Sequence, residues 1–504
     1  MKKVLIIFVF LFSHSVFCGY ATPGTGVSWN LTDLVTNSGG VVTFSSGTYF
    51  INGDSLRISN SDTLKILSNA TVKIAFNSVV HIRGTLIVSP PDSVKFTSVD
   101  TNQLFYEMRI DTSSSTILHN LIFEYSFNGL RIFDSSPLLA GCIFRNNCFG
   151  NPSATAPAIN LFRSNAIISN CSFKRNYKAA IAGGANIPNA PQILYSQFYE
   201  NNYANVNTPQ INLGQSGAGT TIIRGNFITG QYIMSGGIAA LPIGTLTVII
   251  ENNIIKKNRY GIALNGSVNA IIRNNVIDSN NIQGLPLLGG SGLNFVGSGI
   301  TALVSKNIIR GNLWGVTLQN SAAPVFGDLT SPDTNYAGMN QIYNNSNSGV
   351  FYDFYNNTPN PIKAENNYWG TMNPDSVEAH IFHQPDSAAL GFVDYIPLWS
   401  PTGIQQTGNE VPPGYRLYNA YPNPFNPQTN IRFDVAFKGD NSFQFVLLEV
   451  YDVSGKLVQT LVNSNLRPGS YEVKFDGENL SSGVYFYSLF GENFKETKKF
   501  ILLK

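Results

Sequence analysis

The sequence predicts an all-β chain: a solenoid of short parallel strands followed by a small antiparallel sandwich. Three observations predict it. An asparagine-spaced unit recurs, since "IIENNIIKKNRYGIAL" from Ile249 is answered by "IIRNNVIDSN" from Ile271, returning Asn252, Asn253 and Asn258 as Asn274, Asn275 and Asn280. Charged residues are 12% of the 504, while 43% are hydrophobic and 45 are glycine, a composition able to bury a large core. After a polar, Pro- and Gly-rich stretch at residues 400–414 the pattern changes to strict alternation.

The first element reads as an export signal over residues 1–21. Lys2 and Lys3 precede a continuous apolar run at residues 4–12, and small residues follow at 18–21, where cleavage would fall. That run spans roughly 14 Å as a helix, too short for a bilayer core of about 30 Å. Cys18 leaves with the signal on this reading. Cys142, Cys148 and Cys171 remain, without the close His partners that a metal site needs, and are expected as buried thiols or one disulfide.

The repeat accounts for residues 22–400. "KNIIRGNLWGVTL" carries Asn307 and Asn312, "ENNYWG" repeats "ENNII", and weaker copies begin at Asn120, Gly141, Asn170 and Tyr195. Steps between copies run from about 20 to 32 residues, which suits a solenoid whose corners absorb insertions. Units this small cannot bury their own apolar face and must stack on their neighbours. Asn tolerates left-handed backbone at a tight corner, and stacked Asn amides can bond from coil to coil. The asparagines are therefore expected as structural corners rather than ligand contacts. Residues 22–100 should hold a cap and the first coils, with a short helix containing Asp33 and Leu34. Residues 101–400 should hold the repeats, closed by a helical-looking segment at 376–384.

Taken together, "DTLKILSNATVKIAFNSVVHIRGTLIVS" and "NNSNSGVFYDFYNNTPNPIKAENNYWGT" resemble the opening and closing coils of right-handed parallel β-helix proteins of the pectate-lyase-like superfamily. The resemblance implies about 13 coils and about 60 Å of rod. It leaves function open, because that scaffold carries lyases, hydrolases, esterases, epimerases and inert adhesins.

Residues 401–414 read as a linker and 415–504 as a second module. In "SYEVKFDG" the residues Tyr471, Val473 and Phe475 share one side, with Glu472, Lys474 and Asp476 on the other. "YPNPFNPQTNIRF", "VYDVSGKLVQTL", "SGVYFYSL" and the final "KKFILLK" resemble the type A C-terminal sorting domain of type IX secretion. That implies a partner in the secretion machinery, passage through the periplasm of a Gram-negative bacterium, and delivery to the cell surface or medium.

Chemistry on the coils is sparse. Between residues 135 and 327 the acids are Glu200, Glu251 and Asp278, against twelve Lys and Arg, and Glu251 beside Asn252 and Asp278 near Asn280 are expected as solvated corner residues. Hydrolases need two carboxylates at a fixed distance and calcium sites need several oxygen ligands, and this stretch supplies neither pattern. His380 and His383 with Glu378 are read as an exposed cap helix rather than a metal site. No cofactor and no nucleic-acid partner are expected, and the net charge is +2. Tyr177, Tyr203, Tyr260 and Trp314 each follow a corner Asn by one or two residues, and with Lys256 and Arg259 they are the candidate glycan contacts. The expected function is a monomeric, exported, non-enzymatic glycan-binding or adhesive protein. The alternative is a polysaccharide lyase using Lys or Arg as base.

Overall fold

The computed structural model describes residues 19–504 except 114, 287, 372, 400, 402–404, 409–411, 437–443, 467 and 492–493. The core of the expected export signal, with Lys2, Lys3 and Cys18, lies outside the described residues. Two compact units emerge: residues up to 271 with 279–302 and 318–322, and residues 272–278 with 303–317 and 323–504.

In the first unit each coil contributes one short strand to each of three parallel faces. One coil runs Glu107–Asp111 on the first face, Ile117–His119 on the second and Leu121–Glu124 on the third. Leu130–Phe133 then returns to the first face and pairs in register with Glu107–Asp111. Parallel pairing places like over like, so the alternating apolar residues become columns. Leu118, Leu139, Ile168, Ile193, Ile223 and Ile250 lie one above another on the second face. Phe123, Phe144, Phe173 and Phe198 do the same on the third, with successive ring centres 5.8, 5.2 and 4.8 Å apart. These side chains are fully buried, and each contributes about 1.5–3 kcal/mol of apolar burial.

Helix α1, Leu31–Asn37, packs on the opening strands. Asn30 and Asp33 form a reciprocal capping box and Leu34 is completely buried, as the sequence leads one to expect.

The second unit continues the same construction, with Val276–Asp278, Ile308–Arg310 and Gln341–Tyr343 in register. Its helix is shorter than expected. Helix α2 covers Pro374–Glu378, started by the Asn373 side chain and by proline at its first turn. It ends there because Ile381–Phe382 pairs as a strand with Phe354–Asn357.

The second unit also contains a sandwich of two four-stranded antiparallel sheets. Gln428–Val435 pairs with Gly469–Asp476 in one, and Gln444–Tyr451 with Gly483–Gly491 in the other. Phe425, Phe433, Phe475, Tyr487 and Phe500 fill its core. Gln405–Gly408, within the stretch read as linker, pairs with Gly469–Asp476 instead, because that strand still has a free edge there.

Candidate functional site

Two neighbouring residues share the work at each corner. The first takes a left-handed backbone and the second buries its amide. At the corner leaving the third face, Asn146, Arg175, Glu200 and Lys257 have φ of 55°, 52°, 55° and 54°. The residue after each is Asn147, Asn176, Asn201 or Asn258, all essentially inaccessible. Asn147 donates through its backbone N–H and Nδ2 to Asn176 Oδ1 at 3.2 and 3.1 Å, and Asn176 repeats this to Asn201 at 3.3 and 2.8 Å. Gln210 then links Asn201 to Asn258, and Asn258 bonds to Asn280. A second ladder runs Asn275, Asn307, Asn340, Asn367. Asn252 and Asn274 take the left-handed position instead. The amide corners are thus structural.

The side chains immediately after the ladder build an aromatic edge. Phe149 follows Asn147 by two residues and Tyr177 follows Asn176, so both project from one corner. Phe149 lies 5.5 Å from Tyr177 and 5.2 Å from Tyr203, and Tyr203 is 5.7 Å from Tyr232 in an edge-to-face contact. Tyr203 is 45% exposed, and Val206 and Ile233 are exposed beside it. A depression of about 460 Å³ opens among Tyr199, Glu200, Gln231, Lys257 and Ile282. Burial pushes the Tyr232 phenol up from its ordinary value, partly opposed by Arg175. Phe149 and Tyr232 were not among the candidates read from sequence. The signal for Phe149 is its position two residues after a ladder Asn, but Tyr232 follows a coil whose ladder position is filled by Gln210 from elsewhere.

The other candidates separate from this edge. Tyr260 lies against Gly236, where even a Cβ would strike its ring, and burial pushes its phenol up to about 12. Arg259 is buried and donates to Gln283 Oε1 at 2.6 Å, to Asn207 Oδ1 and to the Leu288 carbonyl at 2.5 Å. It ties the loops at 207 and 283–288 together. Lys256 lies over the Phe227 ring at 5.0 Å. Trp314 packs against Tyr352 at 4.4 Å and Tyr355 at 4.9 Å.

Two family descriptions match the chain: a right handed beta helix region over residues 158–327 and a secretion system C-terminal sorting domain over residues 419–503. This chain is a right-handed β-helix protein with a type IX secretion sorting domain. No curated protein matches it. Among solved structures, a double mutant of the tailspike protein of E. coli bacteriophage HK620 is similar at 10% identity, covering 95% of this chain and 85% of that one, with a TM-score of 0.26. That likeness is too slight to bear on function.

The acids of the β-helix middle differ from the solvated residues expected. Glu251 is buried, with Arg224 Nε 2.5 Å from its carboxylate. Asp278 takes Arg310 at 3.1 Å, and Glu200 lies 3.8 Å from Lys174. For Glu251 and Asp278 register is the cause, since it sets them beside Arg224 and Arg310 on adjacent rungs. His383 is buried rather than exposed: its Nδ1 accepts from the Val393 N–H and its Nε2 lies 2.9 Å from Glu378. His380 Nδ1 lies 2.9 Å from the buried carboxylate of Asp353, whose other oxygen accepts from the Asn345 N–H and Nδ2 at 2.9 and 2.8 Å. The three cysteines are free and buried, and Cys142 and Cys171 flank successive rungs of the third face.

Proposed function

We propose that this secreted or cell-surface β-helix protein holds glycan along the edge formed by Phe149, Tyr177, Tyr203 and Tyr232, and does not cleave it. The contiguous aromatic edge carries the reading. Rings fixed at a rigid corner present apolar faces with little ordering cost, which suits sugar rings whose C–H faces are apolar. Engagement of Glu200, Glu251 and Asp278 by neighbouring cations supports it too, because each carboxylate already has a structural partner.

The sorting domain makes the secretion machinery a partner. The route through a periplasm and across the outer membrane of a Gram-negative bacterium, and the monomeric state, belong to the same proposal. Affinity electrophoresis against neutral and acidic polysaccharides tests the binding. Retarded wild-type protein and unretarded Tyr203→Ala support it. Absence of retention on every glycan leaves an architectural role, and release of unsaturated, ultraviolet-absorbing ends identifies the lyase alternative. For export, a chain lacking residues 415–504 is expected to accumulate in the periplasm, and its normal delivery to the surface refutes the route.

A further inference from the structure

The first face carries charge in an arrangement that strand pairing alone disfavours. The outward positions of four successive rungs are Arg57, His81, Arg109 and Arg131, aligned in register one beside the next. Rungs about 4.8 Å apart crowd these like charges, which destabilises a sheet. Two carboxylates answer them: Asp111 lies 3.0 Å from Arg109, and Glu107 lies 3.1 Å from Arg131. Arg57, and Arg83 on the same coil as His81, make no ion pair or side-chain hydrogen bond among the described residues. Positive charge therefore exceeds negative across the column.

The arginines are also oriented. Phe133 and Phe162 stack at 4.2 Å and 7°, and the Arg109 guanidinium lies 4.1 Å above Phe133. The Arg131 guanidinium lies 4.9 Å from Phe133 and 5.1 Å from Phe162. Stacking on a ring fixes the plane of the fork while its edge keeps N–H donors available to an anion. Arg109 Nε and His81 Nε2 are buried without a hydrogen-bond partner, the latter at 3.4 Å from Asp111. Beyond Arg131 the same column continues in register as Asn160, Ala182, Asn212, Ala239, Ala263 and Asn294. These short side chains leave a low floor leading away from the cationic end.

We infer that this column is a binding track for a linear anionic glycan. Its carboxylates or sulfates lie on Arg57, Arg109 and Arg131, and its hydroxyls meet the asparagines beyond. A polymer matches a row of cations better than a compact anion does, because charge recurs rung by rung along one line. The inference rests on residues apart from the aromatic edge, so either can fail alone.

Isothermal titration of the full chain with polygalacturonate, dextran sulfate and neutral dextran tests it. The wild type is expected to bind one or both polyanions, the tighter of the two identifying carboxylate or sulfate as the preferred group, with affinity falling as salt is raised. R57Q/R109Q is expected to weaken that binding by about tenfold or more, since charge-assisted hydrogen bonds are lost. R57Q/R83Q gives the same direction without touching the Asp111 contact, so misfolding cannot stand in for the effect. K65Q/K73Q removes equal charge from the other two faces and is expected to bind as the wild type does. Equal loss in K65Q/K73Q, unchanged affinity in both column variants, or no polyanion binding by the wild type would each overturn the track.

Discussion

Asn176→Ala tests the corner ladder most severely at a single residue. The Asn176 side chain is completely buried and makes four hydrogen bonds. It accepts from the Asn147 backbone N–H at 3.2 Å and from Asn147 Nδ2 at 3.1 Å. It donates to the Phe144 carbonyl at 3.0 Å and to Asn201 Oδ1 at 2.8 Å. Alanine supplies none of these, and the cavity it leaves lies in the corner where Asn147 N–H and the Phe144 carbonyl are stranded. At about 1–3 kcal/mol for each buried group left unsatisfied, and with the remaining bonds partly compensated, the expected loss is about 3–5 kcal/mol. Equilibrium guanidinium unfolding, followed by far-ultraviolet circular dichroism, measures it. Stacked coils can melt in stages, so the first transition is the one to compare. The exposed Asn102→Ala serves as control and is expected to change stability by less than about 0.5 kcal/mol. A loss under about 1 kcal/mol for Asn176→Ala would refute the reasoning, because satisfied buried amides cannot be removed so cheaply.

Tyr203→Ala is expected to weaken glycan retention by about tenfold with little change in melting temperature, since the side chain is exposed at the surface; affinity electrophoresis and calorimetry read the two quantities. Burial first, then the positive charge of Arg57, lowers the His81 pKa below its ordinary 6.5, with Arg109 adding to the fall and Asp111 opposing it. The unfolded chain therefore takes up that proton at higher pH than the folded one, and stability falls as pH drops from about 6.5 toward the folded value. His81→Gln is expected to flatten that part of the stability profile, and an unaltered slope would remove His81 as its source. The free thiols of Cys142, Cys148 and Cys171 are buried, and burial pushes that of Cys148 up. In a chain freed of residues 1–21, Ellman's reagent is expected to reach none of these three thiols in the native state and all three after unfolding.

Much of the fold is legible in the sequence because its determinants are local and periodic. Ile, Phe and Asn recur at the positions that stacking brings together, so Asn253 and Asn258 announce columns before any coordinate is known. The division of labour at a corner is less legible. The left-handed position also accepts Arg175, Glu200, Lys257 and Tyr195, whose side chains all stay at least partly exposed. The surface sites are legible only in part. Tyr177 and Tyr203 are visible as corner aromatics, whereas Arg259 reads as an exposed base until the distant loops carrying Asn207 and Gln283 close over it. Arg57, His81, Arg109 and Arg131 are separated by unequal stretches of chain and each looks like one polar residue in an alternating strand. Only the register of the rungs unites them. The same holds for Glu251 with Arg224, whose pairing turns an apparently solvated acid into a buried one.

The alignment of successive corners underlies both the aromatic edge and the cationic track, and disulfide trapping measures it directly. Lys174 pairs with Tyr199, so the next residues, Arg175 and Glu200, stand on adjacent rungs about 4.8 Å apart, within disulfide reach. Arg175 and Lys257 stand three rungs apart, about 14 Å, beyond it. The account predicts that R175C/E200C closes a disulfide under mild oxidation while R175C/K257C does not. Ready closure of R175C/K257C with none in R175C/E200C would contradict it.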